Sequence, residues 1–272
     1  MQDLNVALLQ TSIIWEDAEK NHRHFEALLS RLKSRPDLVV LPETFNTGFP
    51  VDASRFAQKP GGLSMQWMAE QARSLNAVIC GSLLLSTPSG CRNTFVWMRP
   101  DGTYSTYAKR HVFRMGGEHQ SIQPGTAHLT VELKGWKIRP MVCYDLRFPV
   151  WCRNTFDGKE FAYDLLIFVA NWPEARSWPW KQLLVARAIE NQACVIGLNR
   201  VGDDGVGNSY SGDSCLLDAK GQHLWQAEPH KEVIFEGIIK AEPLHIFRRK
   251  FQVAADWDAF TLNLASSTET QT

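Results

Sequence analysis

Apolar positions along this chain follow two rhythms, and the rhythms alternate in nearly the same order in its two halves. Leu4 to Leu9 reads as an apolar strand, Phe25, Leu28, Leu29 and Leu32 at i, i+3, i+4, i+7 mark one face of a helix, and Leu38 to Leu41 makes a second strand. Lys137 to Val142, a loop-and-helix region and Leu165 to Val169 repeat that order. Met65, Met68, Ala69, Ala72 and Leu75 then stripe a helix before the strand Val78 to Leu85, as Leu184, Ala188 and Asn191 do before Cys194 to Leu198. Thr94 to Met98 and Thr103 to Tyr107 flank Pro100-Asp101-Gly102, and Ser214 to Leu217 and His223 to Gln226 flank Ala219-Lys220-Gly221. Both read as hairpins closed by glycine turns.

Each half is therefore expected to hold two helices and about six strands, an echo of architecture rather than of residue identity. A sheet with helices on one face must hide its other face, and two such sheets do so by packing together. The predicted fold is an α/β, four-layer α-β-β-α sandwich of two pseudo-symmetric halves. Leu38 to Leu41 and Leu165 to Val169 are apolar throughout, as strands buried on both faces should be. Loops at the strand ends converge between the halves, and chemistry is to be sought there.

With 272 residues, 44% of them apolar, the chain can bury a large core without metal or disulfide staples. We read residues 1–264 as one domain and 265–272, which lack apolar periodicity, as a frayed tail. The formal charge is zero and no basic run exceeds Arg248-Arg249-Lys250, so no nucleic-acid footprint is present and a small-molecule partner is expected. The N-terminus carries no basic leader or cleavage site and no apolar run reaches spanning length, which predicts a soluble, cytoplasmic protein without a membrane partner. The six cysteines show no CxxC pair and are read as reduced thiols. Cys80, Cys194 and Cys215 fall inside strand patterns as core; Cys91 and Cys152 read as loop or helix positions.

Three segments break the apolar pattern at strand ends: Leu41-Pro-Glu43-Thr-Phe45, Tyr107-Ala-Lys109-Arg-His111 and Met141-Val-Cys143-Tyr-Asp-Leu-Arg-Phe-Pro149. A thiol attacks as thiolate and needs a base or a positive charge beside it. A glutamate can take the proton and later activate water, and a lysine can hold the oxyanion. Glu43, Lys109 and Cys143 would together suffice for amide hydrolysis through a thioester.

LPETFNTGF, YAKRH and VCYDLRFP resemble the three catalytic motifs of the nitrilase superfamily of carbon–nitrogen hydrolases, in that family's order, over nearly the whole chain. The resemblance implies Glu43 as general base, Lys109 as electrophilic stabiliser, Cys143 as nucleophile and the N–H of Tyr144 as a second oxyanion donor. It also implies a supporting role for Glu118, an α-β-β-α fold, no cofactor or metal, and a homodimer. CYDLRFPVW, VANWP and RAIENQ are most similar to the bacterial ω-amidases, which hydrolyse the terminal amide of 2-oxoglutaramate or 2-oxosuccinamate; a nitrile, a carbamoyl compound or deaminated glutathione are the alternative substrates.

A substrate of that class carries a carboxylate, for which Arg147, Arg176 and Lys181 are candidates. Arg147 could instead form a salt bridge with Asp145. Phe45, Phe49, Tyr144 and Trp172 either wall the carbon chain or belong to the core. Against a protease arrangement, His111, His119 and His128 lack a papain- or caspase-like cysteine flank, and His22 and His24 face different directions rather than sharing a metal. Gly202 to Gly207 reads as a flexible connection. A catalytically silent binding module is the alternative of another class, opposed by the intact Glu43, Lys109 and Cys143.

Overall fold

The structure, a computed structural model, describes residues 1–263; position 264 and the tail expected over 265–272 lie outside the described residues. Its strands are β1 (Leu4–Gln10), β2 (Leu38–Val40), β3 (Val78–Thr87), β4 (Gly90–Met98), β5 (Tyr104–Ala108), β6 (Val131–Leu133), β7 (Trp136–Val142), β8 (Leu165–Ala170), β9 (Cys194–Asn199), β10 (Val201–Asp203), β11 (Ser209–Ser211), β12 (Cys215–Leu217), β13 (His223–Gln226) and β14 (Val233–Ile239). Its helices are α1 (Ala18–Leu29), α2 (Ala53–Phe56), α3 (Leu63–Leu75), α4 (Pro149–Cys152), α5 (Ser177–Asn191) and α6 (Ala241–Lys250).

Two six-stranded sheets run in the orders β14-β1-β2-β3-β4-β5 and β13-β12-β9-β8-β7-β6. In each, the central strands β1, β2, β3 and β7, β8, β9 are parallel and the flanking pairs antiparallel. The expected sandwich follows from side-chain alternation: Leu4, Val6 and Leu8 of β1 join the cluster shared with the second sheet, whereas Ala7 and Leu9 join Phe25, Leu28, Met65 and Met68 of α1 and α3. On the far side α5 lies so close to β9 that a Cβ on Gly197 would sit 2.4 Å from Leu184. All six residues of β8 are buried, as its unbroken apolar run requires.

Three details depart from expectation. The outer strand beside β1 is β14, contributed by the far end of the chain, so the first sheet is closed by the second half, whereas its counterpart β6 leads directly into β7. Where the echo called for a helix between β7 and β8, there is a 3-10 turn over Cys143–Arg147 and the single-turn α4. Pro149 opens α4, but Arg153 is already extended and the N–H of Asn154 goes to Asn191 Oδ1 (2.7 Å), so the segment is held by side chains of α5 instead of propagating a helix. Leu32 lies past the end of α1 yet still packs on the same core.

Candidate active site

Four polar side chains stand at or just past strand ends between the sheets: Glu43 after β2, Lys109 after β5, Cys143 after β7 and Asn171 after β8. The first three are the residues singled out in the sequence, and the fold brings them together. Lys109 Nζ lies 3.0 Å from Glu43 Oε1 and 2.9 and 3.0 Å from the two oxygens of Glu118. All three side chains are buried, at 1% exposure or less. Glu43 also receives Asn93 Nδ2 on Oε1 (2.8 Å) and the N–H of Asn171 on Oε2 (2.6 Å). The Cys143 thiol reaches the carbonyl of Asn171 at 3.8 Å.

Two backbones at this junction are strained. Cys143 has φ +45° and Thr44, beside Glu43, φ +41°, a left-handed conformation that costs ~1–3 kcal/mol outside glycine and persists only where surroundings enforce it. For Cys143 the enforcement comes from Asp145, fully buried, which accepts Val142 N–H (3.1 Å), Tyr107 Oη–H (2.7 Å) and both the N–H and Nδ1 of His111 (2.9 and 2.8 Å). The nucleophile loop and the lysine loop are thereby tied to one carboxylate.

Charge decides the protonation of the site. Two carboxylates against one ammonium leave the cluster with one negative charge. Burial, and after it the Glu43 carboxylate, push the Cys143 thiol well above its usual range against the pull of Lys109. Burial would depress Lys109, but Glu118 and Glu43 more than offset it and hold the ammonium above the usual lysine range. Burial also raises Glu118 against the pull of Lys109. The two partners pull opposite ways, and the ammonium direction governs: a cation gripped by two carboxylates keeps its proton.

Glu43, Lys109 and Cys143 open on a cavity of about 330 Å³ that Tyr144, Arg147, Trp172, Arg176 and Phe49 also line. Arg147 lies over the Trp172 ring at 4.9 Å and Arg176 over the Phe113 ring at 5.2 Å, and neither guanidinium meets a carboxylate among the described residues. The salt bridge considered for Arg147 does not form, because Asp145 is filled by other donors. Phe45 is corrected from pocket wall to core: it is fully buried and packs edge-on to Phe25 beneath the helices, 5.5 Å between centroids. Lys181 is likewise off the cavity, 3.4 Å from Asp213. Cys91 belongs to β4 and Cys152 to α4, and both are buried. His111, His119 and His128 do not line the cavity.

Sequence reasoning missed the wall formed by Asp204, Val206, Asn208 and Tyr210. What read as a flexible connection is a hairpin, β10 to β11, whose turn is nucleated by Asp204 accepting the N–H groups of Val206 (3.0 Å) and Asn208 (2.8 Å). The Asp204-Gly-x-Gly-Asn208 run was the available signal.

A model of the carbon–nitrogen hydrolase family matches residues 5–242. The chain is 46% identical over 262 residues to the omega-amidase YafV of Yersinia enterocolitica, covering 96% of this chain and all of that one. It is 32% identical to the 2-oxoglutaramate amidase of Bacillus subtilis, over 87% of this chain and 89% of that one. Among solved structures, XC1258 from Xanthomonas campestris, a CN-hydrolase superfamily protein with an arsenic adduct in its active site, superposes with a TM-score of 0.94 at 44% identity, over 97% of this chain and 100% of that one.

Proposed function

The chain belongs to the carbon–nitrogen hydrolase family and is an amidase, and from that premise we propose that it hydrolyses the terminal amide of a small 2-oxo acid, 2-oxoglutaramate or 2-oxosuccinamate, through a Cys143 thioester. The observation that carries the reading is a buried Glu43–Lys109–Cys143 cluster lining a cavity that also holds two arginines without carboxylate partners among the described residues.

The thiol keeps its proton at rest, because a thiolate would add a second net negative charge to a dry cluster. Moving that proton to Glu43 leaves the total unchanged. A carboxylate has about four acceptor positions; Asn93, Lys109 and Asn171 occupy three on Glu43, leaving one for the thiol. The thiolate attacks the amide carbon. The N–H of Tyr144, in the first turn of the 3-10 segment where no helical acceptor exists, receives the oxyanion together with the field of Lys109. Lys109 already directs its three N–H groups at Glu43 and Glu118, so it acts by charge and by sharing a proton with the oxyanion. Glu43 then protonates departing ammonia and activates the water that cleaves the thioester.

Arg147 and Arg176 suit the substrate carboxylate. Selection of a 2-oxo over a 2-amino acid amide follows from Asp204, the other carboxylate in the lining. Its oxygens are taken by Val206, Asn208 and the Tyr210 hydroxyl, so a substrate ammonium would face two cations and no free anion.

Ammonia release from 2-oxoglutaramate, 2-oxosuccinamate, glutamine, deaminated glutathione and a simple nitrile tests the reading. Turnover should be confined to the oxo-acid amides and vanish in Cys143→Ala. Arg147→Ala and Arg176→Ala should each raise KM about 10- to 100-fold, the worth of a hydrogen bond to a charged group. Preference for glutamine or the nitrile would defeat the substrate assignment.

A cytoplasmic homodimer is part of the proposal. The six free cysteines fit a reducing compartment. Leu224 and Ile238, each more than half exposed, edge a groove with Phe247 that a second copy would cover. Light scattering should give twice the 30.8 kDa chain mass; a monomer would refute the dimer.

A further inference from the structure

Asn93 and Asn171 share an arrangement that the reaction steps above do not use. Both are buried, both donate to Glu43, and both leave the side-chain carbonyl Oδ1 buried without a hydrogen-bond partner. Leaving a buried acceptor empty is a cost that a leucine of similar shape would avoid, so what these positions require is the N–H donors.

The two come from opposite halves. Asn93 lies within β4; its side chain holds Glu43 Oε1 at 2.8 Å while its main-chain carbonyl accepts the N–H of Lys109 at 2.8 Å. Asn171 stands at the end of β8, across the sandwich from the segment after β2 that carries Glu43. Its N–H holds Glu43 Oε2 at 2.6 Å, and its side chain holds the Glu43 carbonyl at 2.8 Å and Thr44 Oγ1 at 2.9 Å. Its carbonyl receives the Cys143 thiol at 3.8 Å. Asn93 thus ties the base to the lysine, and Asn171, 128 residues from Glu43 in sequence, ties it to the nucleophile. Thr44, in its left-handed conformation, is kept in place by Asn171 and by Ser82 Oγ, 2.9 Å from its N–H.

We propose that Asn93 and Asn171 are positioning residues that fix the Glu43 carboxylate, one from each half of the sandwich, so that its single remaining acceptor position faces Cys143. The proposal rests on Glu43 being the base. Neither amide touches the reacting atoms through its side chain; each acts through Glu43.

Asn93→Leu and Asn171→Leu remove the side-chain donors together with the empty carbonyls. Each should lower kcat on 2-oxoglutaramate about 10- to 100-fold with KM within about threefold. Melting temperatures should stay level or rise. In a Glu43→Gln background the penalty of Asn93→Leu should shrink below about twofold, which a merely structural role would not produce. Asn93→Ser and Asn171→Ser serve where a leucine variant does not fold. Alkylation of Cys143 by iodoacetamide, which should be slowed in both variants, reads the same loss of base positioning without any amide substrate. A wild type that hydrolyses none of the oxo-acid amides, with alkylation slowed in both variants, supports the positioning role and refutes the substrate. Normal turnover with both variants within twofold of wild type, or a penalty undiminished in Glu43→Gln, overturns the proposal.

Discussion

Glu43→Gln should lower kcat on 2-oxoglutaramate by about 10³-fold while changing KM little, within the 10²–10⁴-fold that a positioned general base contributes. The substitution keeps shape and removes chemistry. An amide cannot take the thiol proton, return it to ammonia or activate water, and its NH₂ would confront the donors that now converge on the carboxylate from Asn93, Lys109 and Asn171. The cavity lining that would hold the rest of the substrate is untouched, hence the constant KM. A second readout moves the other way. The Glu43 charge is one of the causes holding the Cys143 thiol high, so the variant thiol should ionise at lower pH than the wild type. An enzyme with a more acidic thiol and a far lower kcat separates proton transfer from simple thiolate supply. A thiol that becomes less acidic in the variant would overturn that account of the thiol.

The parts of this site legible in the sequence were those where a polar residue interrupts an apolar strand end. Glu43, Lys109 and Cys143 all do so, and the alternation of apolar runs placed their strands correctly in two sheets. What stayed hidden depends on partners far away in sequence. Phe45 carries the same aromatic signature as Phe49, yet one packs beneath α1 and α3 and the other lines the cavity; their faces are set by the turn after Thr44, whose positive φ no propensity announces. Arg147 was open between a salt bridge and the pocket because the competing donors on Asp145 come from Tyr107 and His111, more than thirty residues upstream. β14 closes the first sheet through pairing with β1 across most of the chain, a register that local periodicity does not encode.

Lys109→Met should be the most destabilising change in the site and should inactivate the enzyme. It removes the one cation from between two fully buried carboxylates, and breaking such a pair from one side typically costs about 3–5 kcal/mol because the remaining charge has neither water nor partner. For a chain of this size that corresponds to a loss of about 10 °C in melting temperature. The pH dependence identifies the cause. In the wild type Lys109 is held above the usual lysine range, so its contribution is complete at neutral pH and is lost only in strong alkali. Glu118 is already raised by burial with Lys109 opposing the shift, and without Lys109 it rises further. A carboxyl raised in the folded state stabilises it below the unfolded value and loses that contribution as pH climbs through the folded value. Lys109→Met should therefore be nearest to wild-type stability at about pH 5 and fall steadily behind it towards about pH 8. Adding Glu118→Gln should recover part of the loss at the higher pH and little at the lower. Calorimetric scans across that range check it: a deficit that does not change with pH, or no recovery in the double variant, would show that Lys109 is held for packing and not for its charge.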